Sequence, residues 1–301
     1  MAFDIYQEIT DRIVAELNTG IIPWEKPWTG TRDGAISYAT GKPYSLLNQL
    51  LLRKAGEYAT FKQIQAAGGK VKKGAKAKFV VFWKIYRKEK IEGSEPARDK
   101  DGNIKYDTIP VLRYYNVFHV VDDCEGITPK HEQDAPNGAE TMQNAEDVLA
   151  AYTTREKITI HHEKGDKAYY SPLGDYIVLP LMEQFKNTAE YYGTAFHESV
   201  HSTGHSTRLN RFDKSTPSHF GDEDYSKEEL VAEIGSCALL HRLNMETRSS
   251  FRNNAAYIQS WLRALNNDKR MIVSAAGKAE KAVAYILGEN TEQNMTETAG
   301  E

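Results

Sequence analysis

The stretch that decides the fold is 194–205, TAFHESVHSTGH, which contains two histidines four positions apart, His197 and His201. On an α-helix this spacing brings both imidazole rings to the same face, one turn apart. Two neutral imidazoles so placed can hold a Zn²⁺ ion, each ring nitrogen about 2.0–2.1 Å from the metal. Glu198 follows the first histidine and could take the proton of a water activated by the metal. The pattern predicts two ligands and a general base; the alternative is a surface helix carrying two histidines and a glutamate.

Cap signals predict where this helix begins and ends. Asn187 is a good N-cap, and Glu190 stands three residues later, as in an Asx-type capping box. A helix from Thr188 to about Thr203 should follow, with Gly204 as a left-handed C-cap.

A metal held by two histidines needs a third protein ligand, and two templates could supply it. In HExxHxxGxxH the third histidine stands three positions after the glycine, but Thr207 occupies that position here. His205 comes one residue after the glycine and is too close to fold back easily. The second template places a glutamate on a following helix, which SKEELVAEIGSCALLHRL at 226–243 would form.

Glu229 on that second helix is the predicted third ligand. Ser226 and Glu229 match an S-x-x-E capping box at the start of the helix. Glu233, one turn later on the same face, would accept a hydrogen bond from the non-liganding ring nitrogen of a histidine. Glu228 is the main rival, but it points about 100° away from that face.

The same helix would bury an apolar stripe formed by Leu230, Ile234, Cys237, Leu240 and Leu243. The small residues that permit close helix packing are Ala232, Gly235, Ser236 and Ala238.

The two helices together resemble the glutamate-liganded zincin metallopeptidases, with HExxH on one helix and E-x-x-x-(D/E) on the next. The resemblance implies that a peptide substrate lies extended along an edge strand, which AYYSPLGDYIVLP at 168–180 would supply. His219 and Tyr225, in the segment between the two motifs, are candidates to stabilise the oxyanion of a tetrahedral intermediate. The favoured interpretation of each, however, is a loop residue that has no catalytic role.

A basic and aromatic segment occupies residues 70–88, KVKKGAKAKFVVFWKIYRK, which has eight basic residues and no acidic one. Single-stranded nucleic acid binds where cations meet the phosphates and flat side chains stack on unpaired bases. The alternative is a core strand that follows a solvated lysine loop. The residues predicted to contact phosphates are Lys70, Lys72, Lys73, Lys76 and Lys78, and those predicted to stack on bases are Trp24, Trp83 and Tyr86.

Charge divides the chain into two modules. Residues 1–121 carry 20 Lys and Arg against 13 Asp and Glu, whereas residues 122–301 carry 18 against 29. This asymmetry predicts a basic module that binds nucleic acid and an acidic module with a different partner.

The expected fold class is α+β in both modules. The predicted divisions are an N-terminal DNA-binding domain at 1–121, a linker at 122–143, a zincin-like domain at 144–289 and a disordered tail at 290–301.

Within the basic module, strands are predicted at 79–86 and 111–121, because both stretches are rich in β-branched and aromatic residues. The polar stretch between them includes Asp101-Gly102, which could close a long hairpin.

Other compositional signals predict a cytoplasmic protein with no membrane partner. No apolar run approaches the roughly 18–20 residues that cross a bilayer, and the N-terminus MAFDIYQEIT lacks the pattern of a secretory signal. Only two cysteines are present, Cys124 and Cys237, far apart and outside any CxxC pair. Free thiols in a reducing compartment are the simple interpretation.

The order of the two modules resembles that of the ArdC-type antirestriction proteins. The N-terminal resemblance rests on IPWEKPW, GKPYSLLNQLLL, TFKQIQAAGGKVKKGAK, FWKIY and YYNVFHV, and the C-terminal one on FHESVHSTGH and YSKEELVAEIGSC. It implies a plasmid-encoded protein that shields conjugatively transferred DNA from host restriction. It also implies a single-strand-binding N-terminal domain and a zinc-dependent, protease-like C-terminal domain. The divalent ion could equally be Mn²⁺, and a protein of the restriction machinery would be the peptidase substrate.

Two further hypotheses remain open at the sequence level. The chain could be a non-catalytic protein that coats single-stranded DNA, with a structural or vestigial metal site. The intact Glu198 favours an enzyme, since a structural site does not need that base. A metal-dependent nuclease is a weaker hypothesis, because phosphoryl transfer usually uses two metals and carboxylate-rich sites.

Overall fold

Helices and short sheets alternate along the chain. The computed structural model describes residues 3–25, 34–93, 95–131, 141–212, 223–245 and 255–289. The helices are α1 Ile5–Asn18, α2 Leu46–Leu52, α3 Phe61–Ala66, α4 Val120–Asp123, α5 Thr141–Glu156, α6 Thr188–Ser202, α7 Glu223–Arg242, α8 Ala255–Asn267 and α9 Met271–Leu287. The strands are β1 Ala35–Ser37, β2 Gly56–Thr60, β3 Lys70–Val71, β4 Lys78–Glu89, β5 Ile91–Glu92, β6 Glu95–Pro96, β7 Tyr106–His119, β8 Cys124–Glu125, β9 Thr159–Glu163, β10 Tyr169–Ser171 and β11 Tyr176–Pro180. The predicted α+β class is confirmed. No helix in these ranges is both long enough and apolar enough to span a bilayer.

The N-terminal sheet is dominated by one long hairpin. Its strand order is β1-β2-β7-β4, and β4 pairs antiparallel with β7 from Lys78 opposite Val117 to Glu89 opposite Tyr106. The predicted hairpin is therefore confirmed, although both strands are longer than expected. From Trp83 onward every residue of β4 is exposed. The outer half, residues 83–89 paired with 106–112, therefore forms a two-stranded ribbon that extends away from the core, and only its innermost β7 residue, Leu112, is buried.

A second, three-stranded sheet precedes the helix of the HExxH motif. Its order is β10-β11-β9, with β11 parallel to β9 and antiparallel to β10. The inner face of β11 is apolar, with Ile177 and Leu179 fully buried. On β9, His162 stacks on Tyr191 of α6 and its Nε2 lies 3.0 Å from the Tyr191 hydroxyl. These contacts hold α6 against the sheet.

One hydrophobic core joins the two predicted modules. Ile9 of α1 and Met271 of α9 belong to the same cluster of buried side chains. The ring of Trp24 packs edge-on against Trp261 of α8, with the centroids 5.0 Å apart. Thr10 also donates a hydrogen bond of 2.9 Å to the carbonyl of Lys269. The first helix and its following loop are thus packed onto the C-terminal helices, although their sequence belongs to the basic module.

The segment predicted as a linker is partly structured. Val120–Asp123 forms α4, and β8 pairs with β3, so the chain after residue 121 stays attached to the N-terminal sheet. At its other end, α5 begins at Thr141, three residues before the predicted domain boundary. Residues 132–140 of the predicted linker and the predicted disordered tail at 290–301 lie outside the described residues.

The ends of α6 and α7 differ in part from their predicted caps. Asn187 caps α6 by accepting a 2.9 Å hydrogen bond from the amide of Glu190, as predicted. The reciprocal contact of Glu190 goes to the amide of Lys186 rather than to Asn187. The prediction of a left-handed Gly204 is wrong, because its φ is not positive. The prediction of a capping box at Ser226 is also wrong, since α7 begins at Glu223.

A glycine contact brings α6 and α7 close together. A Cβ atom at Gly235 of α7 would lie 2.9 Å from Cγ2 of Val200 on α6, which is shorter than van der Waals contact. The predicted role of the small residues in close helix packing is therefore confirmed at Gly235. This approach decides how near the glutamates of α7 come to the histidines of α6.

We predict that Gly235→Ala lowers the free energy of unfolding by about 1–3 kcal/mol, because overpacking outweighs the higher helix propensity of alanine. The matched control is Gly277→Ala in α9, where an added Cβ meets nothing within 4 Å. That control should raise the free energy of unfolding by about 0.5–1 kcal/mol. Urea unfolding in the presence of a chelator measures both. If both substitutions changed the free energy of unfolding by the same amount and in the same direction, the packing argument would be contradicted.

Candidate metal centre and nucleic-acid surface

Three predicted metal ligands converge between α6 and α7. His197, His201 and Glu229 each offer a ligand atom within 4.8 Å of the others. The two Nε2 atoms are 3.1 Å apart, near the roughly 3.3 Å expected for two ligands of a tetrahedral metal. Glu229 Oε1 lies 3.2 Å from His201 Nε2, and its Oε2 lies 3.6 Å from His197 Nε2. The nitrogen and oxygen donors and their spacing fit a divalent transition-metal ion.

Carboxylates also stand behind both imidazole rings. Glu233 Oε1 is 3.8 Å from His197 Nδ1, so the predicted second carboxylate faces the outer nitrogen of that ring. Glu228 Oε1 is 3.5 Å from His201 Nδ1. The sequence suggests Glu228 only as a rival ligand, and helical spacing does not indicate this position behind His201. Because each outer nitrogen faces a carboxylate, each Nε2 is directed to the shared centre.

Burial and charge shift the ionisation of these groups in opposite directions. Burial alone would lower the pKa of His201, but the carboxylates of Glu228 and Glu229 raise it to about 10. Burial would raise the pKa of Glu229, yet its contacts with the two histidines hold this pKa well below its usual range. The pocket therefore favours positive charge at its centre.

Of the other residues predicted to take part in catalysis, only Glu198 has a side chain that the structure describes. Glu198, the predicted general base, lies on α6 with only 1% of its surface exposed. His219 lies outside the described residues, and Tyr225 belongs to α7 but its side chain is not among those described. His205 is not part of the ligand cluster, since its Nδ1 lies 2.8 Å from the hydroxyl of Thr207.

An arginine that sequence reasoning missed completes the surroundings of the centre. Arg211, in the loop after α6, forms a two-point ion pair with Glu228, with N···O distances of 2.6 and 3.1 Å. The same guanidinium donates to the carbonyl of Val200 and to the hydroxyl of Thr203. The sequence signal was weak, because this contact depends on how the loop folds rather than on helical spacing.

The predicted phosphate-binding lysines are engaged to different degrees. Lys70 and Lys78 form ion pairs of 3.1 Å with Glu125 and Asp123, and Lys72 donates to two backbone carbonyls after β7. Lys73 and Lys76 have exposed side chains. The basic loop is therefore partly tied to α4 and β8.

The predicted base-stacking residues do not share one surface. Trp24 is only 1% exposed and packs on Trp261, so its predicted role in stacking is wrong. Trp83 and Tyr86 are 52% and 38% exposed. Because they are three residues apart on one strand, they lie on opposite faces of the ribbon. A single strand of nucleic acid lying across one face cannot stack on both.

Tyr86 has basic neighbours on its own face of the ribbon. Arg113 lies on this face and donates a 2.9 Å hydrogen bond to the Tyr86 hydroxyl, which lowers the pKa of Tyr86. The ammonium of Lys84 is 5.5 Å from the centre of the same ring. Neither Lys84 nor Arg113 was among the predicted contacts. An exposed ring with two adjacent cations combines the requirements for binding single strands.

We predict that Glu229→Ala removes tight binding of a divalent metal, whereas Glu233→Ala weakens it about 10–100-fold by releasing the His197 ring. Calorimetric titration with Zn²⁺ or Mn²⁺ measures both effects. Glu183→Ala, at an exposed position before α6, is the control and should bind like the unmodified chain. Unchanged binding by Glu229→Ala would contradict the ligand assignment.

Comparison with known families gives one match for each part of the chain. Residues 3–118 match the N-terminal domain of anti-restriction factor ArdC. Residues 144–278 match a zincin-like metallopeptidase family. The two matches together leave out the predicted linker and the C-terminal end.

Related proteins extend these matches over nearly the whole chain. A DNA primase TraC of Escherichia coli is 34% identical over 97% of this chain, but the chain spans only 28% of the length of that primase. An uncharacterised protein, y4eC of Sinorhizobium fredii, is 29% identical and is covered over 96% of its length.

Solved structures of a related protein share the same fold. The Mn(II)-bound crystal structure of the antirestriction protein ArdC from plasmid R388 has a TM-score of 0.71 and 34% identity, covering 95% of this chain and 98% of that one. The metal-free structure of the same protein has a TM-score of 0.69 and 33% identity, with coverage of 94% and 97%.

Proposed function

This chain belongs to the family of ArdC antirestriction proteins, and from that premise we propose that it binds single-stranded DNA and carries a metal-dependent peptidase site. The observation that supports the peptidase site most strongly is the convergence of His197, His201 and Glu229 beside the buried Glu198. In the cell, the protein would protect conjugatively transferred DNA from host restriction. The encoding element would be a plasmid, and the site of action the cytoplasm.

A divalent transition metal is the cofactor in this proposal. Two imidazoles and one carboxylate suit Zn²⁺, and Mn²⁺ is compatible as well. The ArdC protein of plasmid R388 has been crystallised with Mn(II). When bound, the ion would polarise a carbonyl group and make water more acidic.

The protein's own groups would then perform three tasks. His197 and His201, oriented by the carboxylates behind them, and Glu229 would hold the ion. Glu198 would accept a proton from the attacking water and later donate it to the leaving amine. The edge strand β10 lies next to α6 and would pair with an extended peptide. The substrate in this proposal is a protein of the restriction machinery.

The DNA-binding part of the proposal is centred on the Tyr86 face of the ribbon. The Tyr86 ring would stack on a base, while Lys84 and Arg113 would meet the phosphates on either side. The exposed Lys73 and Lys76 would add charge near the base of the hairpin. A strand held this way would be bound without preference for sequence, because every base offers a flat face.

We predict that Glu198→Gln leaves metal and DNA affinity within about twofold of the unmodified chain but removes protection against restriction. Losing a general base typically costs about 10²–10⁴ in rate. Restriction of transferred DNA in recipient cells is the measurement, with Glu183→Gln as the exposed control. Full protection by Glu198→Gln would refute the catalytic account and favour a non-catalytic DNA-binding protein.

We predict that Tyr86→Ala weakens binding of a single-stranded oligonucleotide by about 1–3 kcal/mol, the usual contribution of stacking on one base. Arg113→Ala should also reduce the slope of log K against log salt by about 0.7, as one phosphate contact is lost. Trp83→Ala is the comparison on the opposite face and should bind within about twofold of the unmodified chain. The reverse order of effects would place the DNA on the Trp83 face.

A further inference from the structure

Two adjacent glutamates of α7 reach the same histidine. Glu229 Oε1 lies 3.2 Å from Nε2 of His201, and Glu228 Oε1 lies 3.5 Å from Nδ1 of that ring. Either carboxylate has the chemistry of a metal ligand. Their other contacts differ, and this difference determines which carboxylate is available to the ion.

Both oxygens of Glu228 are held by a single arginine. Nη2 of Arg211 lies 2.6 Å from Oε1 of Glu228, and Nε lies 3.1 Å from Oε2. This two-point arrangement fixes the carboxylate in position as well as in orientation. The Arg211 side chain is only 5% exposed, so little water competes for the pair.

The arginine is itself fixed to the helix that bears His201. Nη2 donates to the carbonyl of Val200 at 2.7 Å, and Nη1 donates to Thr203 Oγ1 at 2.6 Å. The guanidinium therefore joins the last turn of α6 to the start of α7. Both anchors lie within two residues of His201 along the chain.

The loop after α6 folds back onto Gly204. The amide of Arg211 donates to the carbonyl of Gly204 at 2.9 Å. A Cβ atom at Gly204 would lie 2.7 Å from the ring of Phe212. The absence of a side chain at Gly204 thus leaves room for the Phe212 ring, and the loop brings Arg211 to the metal centre.

We propose that Arg211 is a positioning residue that selects the carboxylate ligand of the metal centre. It holds Glu228 at the outer nitrogen of His201 and so leaves Glu229 as the carboxylate that faces the ion. It also offsets the charge of Glu228, which would otherwise add a further buried negative charge beside the site. This inference rests on the proposed function only in taking His201 and Glu229 as ligands.

The experiment titrates the full chain with Mn²⁺ alone and follows free and bound ion by electron paramagnetic resonance. Arg211→Met should weaken Mn²⁺ binding about 10–100-fold, the usual effect of losing a group that orients a ligand. It should also change the spectrum of the bound ion, because Glu228 becomes free to approach it. Arg211→Lys keeps the charge but cannot hold both oxygens in the same way, and it should show the same changes to a smaller extent.

Arg208→Met is the matched control within the same loop. Arg208 is also an arginine with a buried side chain, 1% exposed, and it pairs with Asp175 and donates to the carbonyl of Ser202. Its contacts join the last residue of α6 to the β10–β11 turn, and none of them involves Glu228. The Mn²⁺ affinity of Arg208→Met should therefore stay within about twofold of the unmodified chain. The spectrum of its bound ion should be unchanged.

A double substitution separates this role from a general structural one. If Arg211 acts through Glu228, adding Arg211→Met to Glu228→Gln should weaken Mn²⁺ binding no further than Glu228→Gln alone. Additive losses, or equal losses in Arg208→Met, would overturn the proposal. Unchanged binding and spectrum in Arg211→Met would do so as well. Should Arg211→Met fail to fold, the same criteria apply to Arg211→Lys.

His201→Ala distinguishes failure of this inference from failure of the metal site. If His201→Ala loses Mn²⁺ binding while Arg211→Met keeps it, the centre stands and only the role of Arg211 is refuted. If His201→Ala binds Mn²⁺ as tightly as the unmodified chain, the ion does not bind at this centre, and the proposed function fails with the inference.

Discussion

The close approach of α6 and α7 is the contact on which the candidate metal centre depends. It is set where Val200 packs over Gly235, at a separation that a Cβ atom would prevent. Val200 is adjacent to His201 in the chain, and Gly235 lies two residues after Glu233. Widening this contact would therefore move donors on both helices apart, and a ligand set needs its atoms placed within a few tenths of an ångström.

The local part of the centre could be predicted from the sequence because helical spacing is a short-range property. The four-residue steps from His197 to His201 and from Glu229 to Glu233 each define one face of a helix. The Asn187 cap and the long hairpin also followed from local signals. Residue spacing alone does not indicate that a DNA-binding module precedes a metal-binding module. That order came from the resemblance to zincins and to ArdC-type proteins.

What sequence reasoning missed depends on contacts between distant segments. Trp24 is buried because Trp261, far along the chain, packs against it, and no local signal indicates that partner. The pairing of Arg211 with Glu228 depends on a loop that folds back over Gly204. Trp83 and Tyr86 were grouped by composition, whereas the period of a strand places them on opposite faces. The shared core likewise joins modules that charge alone had separated.

The central claim is that α6 and α7 hold one divalent ion through two imidazoles and the Glu229 carboxylate. Crystals grown with Zn²⁺ and measured at its absorption edge test this most directly. The account predicts one anomalous peak bonded to Nε2 of His197, Nε2 of His201 and a Glu229 oxygen, each at about 2.0–2.2 Å. A peak bonded instead to Glu228, or no peak between these helices, would contradict it.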